Sequence, residues 1–341
     1  MKDRYDGIDG LKAFSILGIV LMHVFSNGNF ELSNVFFSKI IPSFADLVFL
    51  FMMLSGFGMC CGYYNKVINN QIRIADFYKR RYSKIWPFFA LLCVIDFCVS
   101  PSKDSIYEIF ANLTLCQGLL PNMNISVIGV SWTLAVIFVF YLLFPFYCFL
   151  LENNKKACIA FICALIYNYL CSSYFFDDSH INAKSLVNFS ARTNIIYCSV
   201  FFISGGIVYL NRCYISKFVS SHKIFSCAIV LFTSLLYFLF SNNTIVLLAF
   251  CVSVLAFSLG TRVWLLSNSV SKFLGGICFE IYLCHMVIFR GLEKVNLIHF
   301  FKNDLVAFIS TSIVVMIGAV AFSLLAQYFI KRISFSLKVK L

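Results

Sequence analysis

Apolar residues in this chain come in long runs rather than in the one-sided spacing of a surface helix. "LKAFSILGIVLMHVF", residues 11–25, shows the pattern: Leu, Ile, Val, Met and Phe fall on every face of a helical wheel, with one imidazole, His23, near the end. A helix apolar on all sides belongs in a protein core or in lipid. Such runs, each of about 18 or more residues and so able to cross ~30 Å of hydrocarbon, recur at 11–27, 42–63, 83–100, 127–151, 156–174, 193–210, 223–241, 244–261, 273–289 and 305–330. The pattern predicts about ten membrane helices. The stretch 105–120 is shorter and interrupted by Glu108 and Asn112, which predicts an interfacial or re-entrant segment. Gly58 and Gly62 have the small-xxx-small spacing that lets helices approach closely.

Composition agrees with this reading. Hydrophobic residues make up 61% of the 341, charged residues 12%, and mean hydropathy is +0.88. A water-soluble domain keeps roughly a quarter of its residues charged. No polar stretch approaches domain length, so residues 1–341 are expected to form a single all-α, polytopic membrane bundle with no soluble domain. Lys2 and Arg4 ahead of the first run resemble the start of a signal peptide. However, "SNGNF" follows that run instead of a small-residue cleavage site, so a retained helix is expected.

Charge sets an expected orientation. If Met1 is cytoplasmic and ten helices alternate, 20 of the 27 Lys and Arg residues fall inside and 7 outside. This positive-inside bias predicts cytoplasmic N- and C-termini and accounts for most of the +12 net charge. Basic residues confined to short loops between spans argue against a nucleic-acid partner. The 15 cysteines are scattered singly, apart from Cys60 and Cys61, with no C-x-x-C, and read as small hydrophobes. His180, His222 and His299 lack ligand spacing, so no metal site is expected.

Three ionisable residues stand out within the apolar runs. His23, Asp46 and His285 each lie about four residues, roughly 6 Å, from the outer end of a different expected helix. Intramembrane ionisable groups are costly and mark functional sites by default. Asp46 is a candidate to orient His23, because a carboxylate fixes the imidazole tautomer and raises its basicity. Lys12 precedes His23 by eleven positions, three turns or ~16 Å along one helix face. It is either a lysine snorkelling to the interface or the inner end of a functional face. Lys79, Arg80, Arg81 and Lys84 crowd "DFYKRRYSKIWPFF", residues 76–89. They are either a topogenic anchor or a site for an anionic ligand, since Arg grips phosphate bidentately. Physics alone leaves both open.

Five motifs carry a resemblance. "GIDGLKAFSILGIVLMHV" has Asp-Gly-Leu, a basic residue, ten others and then His23. "ADLVFLFMMLSGFGM" runs from Asp46 into Ser55-Gly56-Phe57. "RRYSKIWPFF" holds Arg81, Lys84 and Pro87; "SWTLAVIFVFYLLFP" holds Trp132, Leu134, Tyr141 and Pro145; "LGGICFEIYLCHMVI" holds Tyr282, Leu283 and His285. In content and order, from residue 8 to 288, they resemble the signatures of integral-membrane acyltransferase family three, the O-acyltransferases of bacterial envelope glycans. Lys12 and Lys84 stand where that family usually has Arg, and Ile137 where some members have Glu.

The resemblance implies catalytic roles for His23, Asp46 and His285, with His23 as base. It implies acyl-CoA binding by Lys12, Arg80, Arg81 and Lys84, and support of the substrate site by Ser55, Trp132, Tyr282 and Glu280. The implied reaction moves an acyl group, taken as acetyl, from cytoplasmic acyl-CoA to a hydroxyl of a cell-envelope glycan or lipid-linked saccharide. Acyl-CoA is then a co-substrate, and no cofactor is implied. The implied location is the bacterial cytoplasmic (inner) membrane, as a multi-pass protein in the lipid bilayer. The periplasmic esterase-like domain of some relatives is not expected. A transporter is the main alternative, disfavoured because no repeat halves or paired interrupted helices are evident in the sequence. A non-catalytic membrane protein is a third reading, which the two Arg-to-Lys departures keep open.

Overall fold

Each expected apolar run becomes helix in the computed structural model, which describes residues 5–120, 125–175, 191–240 and 243–339. Lys2, Arg4, His180, Lys184 and Lys340, and the side chain of Lys338, lie outside the described residues. The helices are α1 (Asp6–Asn27), α2 (Phe36–Ile68), α3 (Ile74–Val99), α4 (Lys103–Thr114), α5 (Gly129–Leu142), α6 (Phe144–Leu150) and α7 (Asn154–Phe175). There follow α8 (Ile195–Leu210), α9 (Arg212–Ser221), α10 (Lys223–Leu239), α11 (Thr244–Gly260), α12 (Ser269–Gly276), α13 (Cys278–Lys294) and α14 (Asp304–Val339). No strand occurs among the described residues. The protein is a polytopic helical bundle.

The span count differs from the expected ten. Five helices, α1, α2, α3, α7 and α14, are long and apolar enough to cross a membrane alone, and there are eight spans if each of three bent pairs counts as one. The remaining two segments, α10 and α11, have 17 residues each, ~25 Å of helix and about a turn short of the hydrocarbon thickness. The bent pairs are α5–α6 (65°), α8–α9 (74°) and α12–α13 (72°). Interrupted helices are therefore present, contrary to the sequence expectation. Pro145 at the start of α6 accounts for the first bend, because it lacks the N–H that would continue the ladder.

The expected interfacial segment is the amphipathic helix α4. It is capped by Ser102, whose Oγ accepts from the Ser105 backbone N–H at 3.0 Å. Its polar interruptions point inward rather than into lipid: Asn112 is fully buried, while Ile106, Tyr107 and Phe110 are exposed.

α1 lies at the centre, touching α2, α11, α12, α13 and α14. Water does not drive helices together in lipid, so close packing has to. A Cβ on Gly10 would overlap the backbone of Leu266, and one on Gly275 the carbonyl of Asp9. These glycines let α1 lie directly on the segment leading into α13. α2 and α8 meet the same way, with Gly56 against Phe202 and Gly205 against Met53. Gly58 and Gly62 do not play the expected role, since a Cβ on either would meet nothing within 4 Å. Their spacing was right for close approach, but their face of α2 borders open space.

Gly275→Ala is therefore expected to lower stability by about 1–3 kcal/mol through overpacking, while Gly58→Ala should stay within about 0.5 kcal/mol of wild type. Thermal unfolding of both variants in detergent checks this. Equal stability of the two would refute the packing assignment.

Candidate active site

The open space beside Gly58 and Gly62 is a cavity of about 1000 Å³. One flank of it is a π-helical turn in α2, Cys60–Tyr64. Such turns shift side chains out of α-helical register and are frequent at functional sites; here Tyr63 joins the lining.

The lining changes character along α2. Exposed Asn65 and half-buried Lys66 mark the mouth, and Leu54, Phe51 and Ser55 lie about three to four turns deeper. Six basic side chains line the cavity (Lys12, Lys66, Arg80, Arg81, Lys84 and Arg212), against two carboxylates, Asp9 and Glu280. Lys12 pairs with Asp9 at 3.2 Å. Glu280 accepts from the Gln327 amide at 2.7 Å. Arg81 lies over the ring of Tyr63, 4.5 Å from its centroid, and 5.7 Å from that of Tyr141. Its Nε is buried without a hydrogen-bond partner among the described residues. Five basic residues with no carboxylate at ion-pair distance among the described residues thus face one cavity, which suits a polyanionic ligand.

At the deep end the cavity wall is Tyr282, with Thr133, Leu134 and Phe51. The Tyr282 hydroxyl is 3.0 Å from the Val130 carbonyl and 2.8 Å from the Thr133 hydroxyl. Its hydroxyl donates towards both acceptors. Its ring lies 6.0 Å from that of His285, which in turn is 5.2 Å from His23. His285 is fully buried. Its Nδ1 is 2.7 Å from the Tyr282 carbonyl, an acceptor, so Nδ1 carries the proton and Nε2 keeps its lone pair. Nε2 has no hydrogen-bond partner among the described residues. The fold thus joins two of the three expected intramembrane ionisable residues into a histidine pair behind the cavity's inner wall.

The third does not complete the expected pair. Asp46 is engaged by Arg192, with a short contact to Nη2, and accepts from the Tyr237 hydroxyl at 3.0 Å. Tyr237 also donates to the Ser43 carbonyl. Asp46 therefore clasps the approach to α8 and the last turn of α10 to α2 instead of orienting His23. Equal depth on two helices fixes height but not azimuth, and the sequence supplied only height.

Of the expected supporting residues, Ser55, Glu280 and Tyr282 line the cavity. Trp132 is half-buried outside the lining, next to Val130 and Thr133, which receive Tyr282. Lys12, Arg80, Arg81 and Lys84 all line the cavity.

A family model for an acyltransferase domain matches residues 5–328, nearly the whole chain. The chain belongs to acyltransferase family three. No curated protein and no solved structure matches it. The protein is a multi-pass membrane acyltransferase, and in this acyltransferase the interrupted helices are cavity walls: Tyr141, Tyr209 with Arg212, and Gly276 with Cys278 line it beside the three bends.

Sequence reasoning missed Lys66, Arg212, Tyr63, Thr133, Arg192 and Tyr237. Lys66 and Arg212 each follow the last apolar residues of a run, where positive-inside bias places charge regardless of function. Only the cavity distinguishes them.

The clasp has a measurable signature. Asp46→Asn and Arg192→Gln should each lower the acyltransferase's thermal stability, and the double variant should lose less than the two losses combined. The expected coupling is about 0.5–3 kcal/mol. Additive losses would mean that the contact carries no energy.

Proposed function

We propose that this acyltransferase takes an acyl group, acetyl in the simplest case, from acyl-CoA on the cytoplasmic side. It passes that group to a hydroxyl of a cell-envelope saccharide, free or lipid-linked. The observation that carries the reading is the cavity, basic at its mouth and ending at Tyr282, whose ring abuts the His23–His285 pair. The diphosphate of CoA suits the cationic end, and the slender pantetheine arm suits the apolar inner part. On α1 alone, Lys12 and His23 are ~16 Å apart, a span the arm can cover.

In the proposed step the acceptor hydroxyl gives its proton to an imidazole of the pair as its oxygen attacks the thioester carbonyl. The C–S bond breaks, and the CoA thiolate recovers that proton from the imidazolium. Such general-base help typically contributes about 10²–10⁴-fold. His285, with its lone pair fixed on Nε2, supports His23 as a neutral neighbour. The 20-to-7 charge bias supports a cytoplasmic mouth and an acceptor arriving from the opposite face.

The test is turnover of labelled acetyl-CoA by purified protein, by hydrolysis or by transfer to added saccharides. A well-folded wild type inert towards acetyl-CoA would sink the donor assignment. His23→Ala is expected to insert and purify normally while losing at least about 100-fold in rate; near-normal rates would make it a structural histidine. Arg81→Gln is expected to raise KM for acetyl-CoA with kcat little changed, the signature of lost uniform binding. A fall in kcat alone would contradict its role as a phosphate ligand.

A further inference from the structure

CoA carries its phosphates in two places, a diphosphate bridge and a separate phosphate on the ribose 3′ carbon. The cavity draws its cations from more than one helix. Arg81 and Lys84 lie on α3, with Lys84 about a turn deeper than Arg80. Lys66 and Arg212 come from other elements, one at the end of α2 and one at the α8–α9 bend, and Lys66 shares the Tyr63 ring with Arg81. Tyr64 and Tyr209 pack edge to face at 5.6 Å, which brings the end of α2 beside that bend. Arg212 lies over Tyr209, 4.1 Å from the centroid, and spends one Nη1–H on the Tyr209 carbonyl at 2.9 Å. That bond caps α8, and it leaves most of the guanidinium donors to face the cavity. Lys66 lies over Tyr63, 5.7 Å from its centroid. Among the described residues neither cation has a carboxylate within ion-pair distance.

We propose that Lys66 and Arg212, which come from helices other than α3, hold the ribose 3′-phosphate of the CoA moiety beside the diphosphate taken by Arg81 and Lys84. The inference rests on the acyl-CoA reading above. It makes the 3′-phosphate a specificity element: the diphosphate lies over α3 with the arm running inward, and the 3′-phosphate is gripped at the mouth from α2 and the α8–α9 bend. A planar guanidinium set against an aromatic ring and bonded at one N–H keeps other donors to grip phosphate oxygens.

The experiment compares acetyl-CoA with acetyl-3′-dephospho-CoA in neutral detergent free of anionic lipid. Wild type should show a KM about tenfold or more lower for acetyl-CoA, the loss expected of a missing charge-assisted contact. Arg212→Gln and Lys66→Gln should raise KM for acetyl-CoA towards that of the dephospho analogue while leaving the dephospho KM unchanged. That unchanged turnover also reports correct folding. Arg212→Lys should recover part of the discrimination, whereas Lys84→Gln should raise both KM values together. Equal effects of Arg212→Gln and Lys66→Gln on both thioesters, or no effect on either, would overturn the subsite. So would an effect seen only after anionic lipid is added, because the two cations would then bind lipid headgroups. Wild type that uses both thioesters without discrimination refutes the subsite alone. Wild type that uses neither refutes the acyl-CoA reading itself.

Discussion

Within hydrocarbon, every backbone N–H and C=O has to find a partner inside the protein, so irregular backbone survives only where it is buried or borders a cavity. Two of the three bends show how. At the α5–α6 break the Leu142 carbonyl accepts from the Tyr78 hydroxyl at 2.6 Å, and at the end of α6 Leu151 accepts from Tyr64 at 3.0 Å. At the α8–α9 break the Ile207 and Tyr209 carbonyls accept from Asn211 and Arg212. Several of these donors, or their neighbours in sequence, also line the cavity. Interrupting the helices and opening the cavity are thus two sides of one arrangement.

The same economy holds at the inner wall. Tyr282 is held by a buried loop that is itself held by α4. Glu108 accepts from the backbone N–H groups of Ser126 and Val127, both at 2.9 Å, and Asn112 donates to the Val127 carbonyl at 2.8 Å. The Asn112 side-chain oxygen accepts from Gln117 and Ser131. Inside this loop Ile128 adopts φ 52°, a left-handed conformation that is costly for a β-branched residue, about 1–3 kcal/mol. Strain of this kind persists only where surrounding contacts over-determine it. Here those contacts set Val130 and Thr133 against Tyr282, and through its ring fix the wall between cavity and histidines.

Charge is distributed with similar division of labour. Asp46 and Arg192 neutralise each other in a clasp between helices, whereas the basic residues of the cavity outnumber their carboxylate partners. Lys12 and Lys84 keep their positive charge where the family usually has Arg, but a lysine is a compact point charge without the planar fork. Arg81 retains that fork, held against Tyr63 and Tyr141, and with Arg212 it supplies the cavity's stacked guanidinium groups.

The sequence by itself determined the class of solvent, the helical architecture and the family. Hydrocarbon imposes a length and an apolarity that can be counted along a chain, and the motif spacings need no coordinates. It could not determine azimuth, because a helix of lipid-soluble residues shows no one-sided pattern to reveal which face turns inward. Tertiary structure alone therefore decided that His23 meets His285 while Asp46 meets Arg192. It also decided that Gly56 and Gly205, rather than Gly58 and Gly62, let helices touch. Lys66 and Arg212 were illegible for a related reason: membrane topology favours cations at helix ends whether or not they have another use. Only the convergence of α2, α3 and the α8–α9 bend around one cavity separates the cations that line it from those that merely orient the chain.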